Sequence, residues 1–356
     1  MRLCGHSCYV NPADMAKIDP PQIDQMMSDA AWLAHRYDAS RDAFHMVHIS
    51  RTHHRKVPFL TDEGFGKSLR PFEVPRSAAI AHAPSPGPVH FIFHSAFCCS
   101  TLLVSAFDAA GMSMGLKEPM LFNDISGWRH RGAQGPQVAR VLDESLHLLA
   151  RPFSPGEAII IKPSNIANPL IPAIMALRAE ARAVFLYAPL PDYLISIARK
   201  AMWGRLWVRD LLGKLLAEGM VDLGIDPKDY LGLTDLQVAA VGWLAQQAQF
   251  RDLLLRIGAR AVGLNSEIFV RNPAHSLETL YQHFQLPDAV NAAKAMVETD
   301  VFRRNSKTGD AFSAKDRSDA VRDGRDVHAG EIEKVEHWAK EIAVRCAIPL
   351  DLPQTL

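Results

Sequence analysis

The stretch VHFIFHSAFCCSTLLVSAFDAAG, residues 89–111, decides the fold. It opens with Val89 to Phe93, a short apolar run of the buried-strand type. It ends with Ser100 to Ala110, in which apolar residues recur at helical spacing before a closing glycine. The residues between these two segments are mostly small. This order of strand, loop and helix predicts one β-loop-α unit.

The same alternation continues along the chain. Apolar runs of strand length recur at Ala158 to Ile161, Ala183 to Tyr187 and Ala259 to Leu264, with helical stretches between them. Strands that alternate with helices favour a parallel sheet whose two faces are both covered. Long amphipathic helices are expected from Asp235 to Ile257 and from Gly330 to Cys346. The predicted fold class is therefore α/β, a parallel β-sheet flanked by helices.

Proline-rich sequence marks the beginning of this unit. HAPSPGPV, residues 82–89, contains three prolines and a glycine, so it is not helical and is interpreted as a linker. Residues 1–85 then form an N-terminal appendage, with a helix expected from Pro21 to Tyr37 and a short apolar run from Phe44 to Ile49. Residues 86–356 form the main α/β domain.

One region of the main domain differs in composition. Arg303 to Asp326 alternates charges and has few apolar residues, which is typical of a solvated segment. We expect a mobile surface segment near residues 303–328.

Composition and charge exclude several kinds of partner. The 356 residues contain 39 Lys plus Arg and 39 Asp plus Glu, so no basic field draws the protein to nucleic acid or to an anionic membrane. No stretch approaches the ~20 apolar residues of a membrane-spanning helix, and the N-terminal sequence lacks the apolar core of a signal peptide. Five cysteines without the spacing of a secreted scaffold favour reduced thiols. A cytoplasmic protein is expected.

The loop after the first strand of the main domain has the properties of an anion site. In parallel α/β sheets ligands bind at the carboxyl ends of the strands, and phosphates favour helix N-termini. The small side chains of residues 94–103 let backbone N–H groups approach a phosphate, and Ser100 and Thr101 add hydroxyl donors. The alternative is that Ser100 only caps a core helix. A second glycine-rich sequence, GFGKS at 64–68, lacks the preceding glycine of a nucleotide-binding loop and is interpreted as an ordinary turn.

This loop resembles the 5′-phosphosulfate loop of the P-loop sulfotransferases, which reads roughly P-R/K-S-G-S/T-T-L-L, with residues 100–103 matching its end. Ala183 to Arg199 and Leu264 to Leu286 resemble two later blocks of the same family in the same order. The resemblance implies binding of 3′-phosphoadenosine-5′-phosphosulfate (PAPS) and transfer of its sulfuryl group to a hydroxyl or amine of a small-molecule acceptor. The backbone that would cradle the 5′-phosphosulfate belongs to Phe97, Cys98, Cys99, Ser100 and Thr101.

The chain departs from the family pattern at two cations. Phe97 stands where the loop has its basic residue, and Ala188 stands where an arginine would hold the 3′-phosphate of the nucleotide. A loop cation normally stabilises charge on the bridging oxygen in the transition state. Lys162 ends the strand AIIIK and is expected to take over this role, the alternative being a solvated lysine at a strand end.

Other basic residues are candidates for the 3′-phosphate. Ser196 lies on a helix with Arg199 three positions further along the same face. Arg303, Arg304 and Lys307 resemble the basic C-terminal stretch of the family, R-K-G-x-x-G-D. Their alternative is a solvated charged surface.

Transfer to an alcohol or amine needs a group that accepts a proton. Glu118, 17 positions after Thr101, resembles the base glutamate of bacterial members; alternatively it is a helix cap or an ion-pair partner. Lys117 beside it would lower its pKa. His94 ends the first strand of the main domain and is a second candidate, either as a base or contact to the phosphosulfate or as a scaffold histidine.

The sequence leaves other hypotheses open. The fold without the chemistry, a nucleotide-binding module, is suggested by Phe97 and Ala188, and an ATP-dependent phosphotransferase is a weaker alternative. No metal is expected, because the histidines lack the spacing of a zinc site. Four aromatic residues in the acceptor-side segments could line an apolar pocket or belong to the core: Trp128, Trp203, Trp207 and Tyr230.

Overall fold

The computed structural model describes residues 20–66, 70–306, 309–310, 314–353 and 355–356. In these residues the chain forms two sheets, an antiparallel one of three strands and a parallel one of five. Helices flank the parallel sheet, which confirms the predicted α/β class.

The bounds of the elements are as follows. The strands are β1 (Trp32–Asp38), β2 (Ala43–His48), β3 (Phe72–Pro75), β4 (Val89–His94), β5 (Ser113–Lys117), β6 (Ala158–Lys162), β7 (Ala183–Tyr187) and β8 (Ala261–Asn265). The α-helices are α1 (Pro20–Ser28), α2 (Arg51–Lys56), α3 (Asp62–Phe65), α4 (Arg76–Ala81), α5 (Ser100–Ser105), α6 (Met120–His130), α7 (Gly135–Leu149), α8 (Ile171–Leu177), α9 (Leu190–Arg199), α10 (Ala201–Ala217), α11 (Asp235–Ile257), α12 (Ser266–Arg271), α13 (Pro273–His283), α14 (Ala289–Val297) and α15 (Ala314–Arg345).

The strand order places the candidate loop near the centre of the parallel sheet. The order is β5-β6-β4-β7-β8, and every neighbouring pair is parallel. The connection that leaves β4 runs to β5 on one side, whereas the connection that leaves its neighbour β7 runs to β8 on the other. Connections that diverge in this way open a crevice at the carboxyl ends of the strands, where ligands bind in α/β sheets. The loop between β4 and α5 therefore lies at this crevice.

Burial explains which strands the sequence identified. Every residue of β4, β6 and β7 is buried, and all of them except His90, His94 and Lys162 are apolar, so these strands are recognisable as apolar runs. The strand β5 is equally buried, but its sequence SMGLK contains a glycine and polar ends, and no apolar run predicted it. The glycine, Gly115, is required by packing, since a methyl group there would overlap the carbonyl oxygen of Val104 in α5.

The helix expected from Pro21 to Tyr37 is wrong beyond its first part. The helix α1 ends at Ser28, and a turn follows in which the Ala31 N–H donates to the Asp29 carboxylate. From Trp32 the chain pairs as β1 with β2. Most side chains of β1 are buried, and this sheet contact outweighs the approximate helical spacing of the apolar residues.

The N-terminal unit, residues 20–85, is bound tightly to the main domain. Both share one continuous hydrophobic core. Arg51 of α2 pairs with Asp108, with an N–O distance of 2.9 Å, and with the fully buried Glu157 at 2.5 Å. Arg36 of β1 pairs with Asp124 of α6 at 2.8 Å. The two parts named from sequence pattern are thus held together by both apolar packing and buried charge.

The C-terminal helix is longer than expected. It begins at Ala314 rather than near Gly330, so most of the segment near 303–328 that we expect to be mobile is the first half of α15. This helix packs across α9. No helix in the described residues is both long enough and apolar enough to cross a membrane.

Candidate functional site

Three predicted site residues meet where three neighbouring strands end. β4 ends at His94, β6 ends at Lys162, and Glu118 directly follows β5. The Glu118 N–H donates to the Lys162 carbonyl oxygen at 2.7 Å, which extends the β5–β6 pairing by one residue. The parallel register therefore brings together side chains that lie 24 and 44 positions apart in the sequence.

Lys162 and Glu118 form a close ion pair between Nζ and Oε1. The Lys162 side chain is 0% exposed, whereas the Glu118 side chain is 21% exposed. The ring of Phe59, from the N-terminal unit, lies 5.3 Å from the Lys162 ammonium and covers it. Glu118 is thus the member of the pair that a ligand can reach, and Lys162 lies behind it.

His94 connects this pair to the loop. Its Nε2 lies 3.1 Å from the Pro163 carbonyl oxygen, which can only accept, so Nε2 carries the proton. Its Nδ1 then accepts from the Ala96 N–H at 3.1 Å. Nε2 also lies 3.9 Å from Glu118 Oε1. Because both ring nitrogens have backbone partners, the geometry of His94 is that of a scaffold histidine that holds the start of the loop.

The loop itself has an unusual backbone. Ala96, Phe97 and Cys99 have φ values of 74°, 52° and 59°, in the left-handed region that favours glycine. Glu118 is left-handed as well, with a φ of 55°. Four such non-glycine residues around one sheet edge are costly, and residues of this kind concentrate at functional sites. A turn of this kind directs successive N–H groups toward one point, as in anion-binding nests.

A buried hydroxyl adds to the loop. The Ser95 side chain is fully buried, and its Oγ has no hydrogen-bond partner among the described residues. Ser100 and Thr101 are buried in the first turn of α5. The loop thus combines backbone N–H groups with buried hydroxyl groups, which suits an anionic group.

Lys117 does not act on Glu118 as the sequence suggested. Its ammonium points into the N-terminal unit and donates to the carbonyl oxygens of Arg55 at 3.0 Å and Val57 at 2.8 Å. Burial, with a smaller contribution from the charge of Lys162, lowers the pKa of Lys117 to about 8. The cation beside Glu118 is therefore Lys162, and Lys117 fastens the N-terminal unit to the end of β5.

The residues proposed for the 3′-phosphate are less well placed. The Ser196 hydroxyl donates to the Asp192 carbonyl oxygen at 2.8 Å, within α9. The stem of Arg199 lies against Gly324 of α15. This end of α9 is therefore covered by the C-terminal helix.

The basic C-terminal stretch lies near α5. Arg303 and Arg304 are exposed and follow a 3-10 turn, residues 300–302, that packs against α5. Arg304 approaches Asp300 at 3.7 Å, and Lys307 lies outside the described residues.

Sequence reasoning missed a buried amide network beneath the loop. Asn168 donates to the His94 carbonyl oxygen at 3.1 Å and to Gln246 Oε1 at 2.9 Å. Asn165 donates to the same Gln246 oxygen at 3.3 Å. Gln246, followed by the equally buried Gln247, ends a buried apolar stretch of α11, and these polar residues are the signal that could have identified the network. The network supports the end of β4 from below.

The four aromatic candidates separate into two groups. Tyr230 is buried in the core, and the Trp128 ring contacts Tyr37 of the N-terminal unit at 5.7 Å. The Trp207 ring instead contacts Phe97 of the loop edge-on at 5.3 Å, and Trp203 stacks on Trp207 at 6.3 Å. Only this second pair extends from the candidate site.

The solved structures that are similar to this chain include three that are named as sulfotransferases. The sulfotransferase domain of the Synechococcus PCC 7002 olefin synthase is 15% identical, with 64% of this chain and 82% of that chain covered and a TM-score of 0.42. Sulfotransferase STF9 from Mycobacterium avium is 11% identical, with coverage of 70% and 78% and a TM-score of 0.40. The sulfotransferase domain of the curacin biosynthetic pathway is 14% identical, with coverage of 75% and 99% and a TM-score of 0.43.

The solved structures that are similar to the chain include members of the family that the sequence resembles. No protein-family model and no curated protein matches the chain.

Proposed function

We propose that this protein is a sulfotransferase that binds PAPS and transfers the sulfuryl group to a hydroxyl or amine of a small-molecule acceptor, in the cytoplasm. The observation that carries the proposal is the juxtaposition, at one sheet edge, of the left-handed loop and a carboxylate held by a buried ammonium. The loop suits an anionic group, and the carboxylate suits a proton acceptor beside it.

The roles of the residues follow from their exposure. When bound, PAPS supplies a sulfur atom to which the acceptor bonds as the S–O bond to the 5′-phosphate breaks, leaving the electron pair on the phosphate oxygen. Glu118, the exposed member of its ion pair, accepts the acceptor's proton. Lys162 is fully buried behind Glu118, so it holds that carboxylate in place instead of contacting the bridging oxygen as expected from the sequence. His94 holds the loop, and the backbone of residues 97–101 binds the phosphosulfate.

Calorimetry with adenosine 3′,5′-bisphosphate and with ATP tests the binding half of the proposal. We expect the bisphosphate to bind and ATP not to bind. Binding of ATP alone would favour a phosphotransferase, and binding of neither would contradict the proposal.

Turnover tests the other half. With a reactive acceptor, Glu118→Gln and Lys162→Met should each lower kcat on the order of 10²-fold or more, while bisphosphate affinity changes much less. Normal turnover of both variants would show that the assigned roles are wrong.

Phe97 favours a second candidate, a nucleotide-binding module of the same fold without catalysis. Phe97 occupies the position of the loop cation, and its ring packs against Trp207. The loop therefore has an apolar side chain where the family has a charged one. Tight bisphosphate binding without product from any acceptor would support this alternative.

A further inference from the structure

The described residues serve the two ends of the expected nucleotide differently. The 5′-phosphosulfate end has the left-handed loop, with its backbone N–H groups and the buried hydroxyls in the first turn of α5. The 3′-phosphate end would depend on four places named from the sequence: Ala188, Ser196, Arg199 and the basic stretch 303–307. A phosphate dianion is held by cations or by free donors within hydrogen-bond distance.

The position of Ala188 is filled by apolar packing. Ala188 directly follows β7 and is 0% exposed. Its carbonyl oxygen accepts a hydrogen bond from Nε1 of Trp243 at 2.9 Å. Trp243 lies in α11 and is also 0% exposed. The place from which an arginine would reach the 3′-phosphate therefore holds a buried methyl group beside a buried indole.

Ser196 keeps the position of the family serine, but its hydroxyl is engaged. A hydroxyl has one proton, and Ser196 donates it to the Asp192 carbonyl oxygen at 2.8 Å, within α9. In this arrangement the serine presents only lone pairs to a ligand, and lone pairs repel a phosphate. Ser196 would have to give up its bond to Asp192 before it could donate to the nucleotide.

Arg199 lies at the far end of α9. The helix begins at the sheet edge with Leu190, so Arg199 is roughly 14 Å further along the helix axis. A Cβ at Gly324 of α15 would lie 2.6 Å from Arg199 Cδ and 2.8 Å from Ile195 Cγ2. This close approach of the two helices leaves no space for a phosphate between them at the stem of Arg199.

The basic stretch after α14 is open to solvent in its described part. Arg303 is exposed, and Arg304 approaches Asp300 at 3.7 Å with both side chains more than half exposed. An exposed cation beside a carboxylate attracts a further anion weakly, because solvent and salt screen the charges.

We propose that this chain does not use the 3′-phosphate for recognition, and that its sulfuryl donor is an adenosine 5′-phosphosulfate with or without that phosphate. The inference rests on the proposed function and widens its donor class. The described residues do not fit the 3′-phosphate, whereas the loop suits the phosphosulfate. With adenosine 5′-phosphosulfate the acceptor oxygen or nitrogen bonds to sulfur, and the S–O bond to the 5′-phosphate breaks. The electron pair stays on adenosine 5′-phosphate, and Glu118 accepts the acceptor's proton.

Calorimetry at one salt concentration compares adenosine 5′-phosphate with adenosine 3′,5′-bisphosphate, the products of the two donors. We expect the two Kd values to lie within about tenfold of each other, because no fixed cation holds the additional phosphate. Thr101→Ala, in the loop, should weaken both ligands by the same factor. Arg199→Gln and the double variant Arg303→Gln, Arg304→Gln remove exposed charges and should leave the ratio of the two Kd values unchanged.

The opposite results separate this inference from the proposed function. Binding of the bisphosphate more than tenfold more tightly than the monophosphate overturns the inference and leaves the proposed function standing. A changed ratio in either arginine variant overturns it as well and assigns the 3′-phosphate to that cation. If Thr101→Ala weakens the bisphosphate alone, the loop holds the 3′-phosphate and the inference is wrong. If neither nucleotide binds, the proposed function itself fails.

Discussion

The ion pair of Lys162 and Glu118 predicts an unequal response to the loss of either partner. Glu118→Gln leaves the ammonium of Lys162 fully buried without a counterion, which should lower the free energy of unfolding by about 2 to 4 kcal/mol. Lys162→Met keeps the apolar stem and leaves a carboxylate that water already reaches, so we expect a loss of about 1 kcal/mol. The double variant should be more stable than Glu118→Gln alone, because no unpaired buried charge remains.

Urea unfolding of the wild type, both single variants and the double variant measures these differences, provided that the m-value is unchanged. The surface pair of Lys340 and Glu336, with an N–O distance of 2.6 Å, is the control, and the same cycle there should give a coupling below about 1 kcal/mol. The reasoning is refuted if Lys162→Met costs as much as Glu118→Gln, or if the double variant is less stable than both.

Three further predictions follow from the site. Thr101→Ala should weaken bisphosphate binding by about 1 to 3 kcal/mol in calorimetry with little change in stability, and unchanged affinity would move the site elsewhere. Folding lowers the pKa of Lys117 from its usual 10.5 to about 8. Between these pH values only the unfolded state holds the proton, so the free energy of unfolding of the wild type should rise with pH relative to that of Lys117→Met. A constant difference between the two free energies from pH 8 to 10.5 in urea unfolding would contradict this. Gly115→Ala should lower the free energy of unfolding by about 2 kcal/mol or more, because its methyl group overlaps the Val104 carbonyl; a neutral effect would show that β5 can move away from α5.

The sequence predicted the parts of the fold that depend on continuous burial. The strands β4, β6 and β7 are apolar except at His90, His94 and Lys162 and lie inside a covered sheet, so their composition identifies them. His94 and Lys162 could be expected to approach one another because each ends a predicted strand and parallel strands end at a common edge, whereas Glu118 was placed by its resemblance to a family glutamate. Packing between segments that are separate in the sequence decides two other features, the glycine in β5 and the pairing of β1 with β2. No local sequence pattern predicts them.

The surroundings of the site were harder to foresee for the same reason. Phe59 covers Lys162, and the carbonyls of Arg55 and Val57 receive Lys117, from a segment about 60 to 100 positions earlier in the chain. Backbone carbonyls carry no sequence signature. The pKa argument from neighbouring residues therefore chose Lys117 as the cation beside Glu118, although the Lys117 ammonium is directed into the N-terminal unit.

The contacts of Lys117 bear on how the chain can be divided. A shortened protein that began at residue 86 would keep all five strands of the parallel sheet, yet it would lose the carbonyl oxygens that solvate one ammonium and the ring that shields the other. Water would enter between the ends of β5 and β6, and the carboxylate beside them would face bulk solvent. The N-terminal unit therefore covers one side of the candidate site, and the boundary near residue 85 separates two sequence patterns that both contribute to that site.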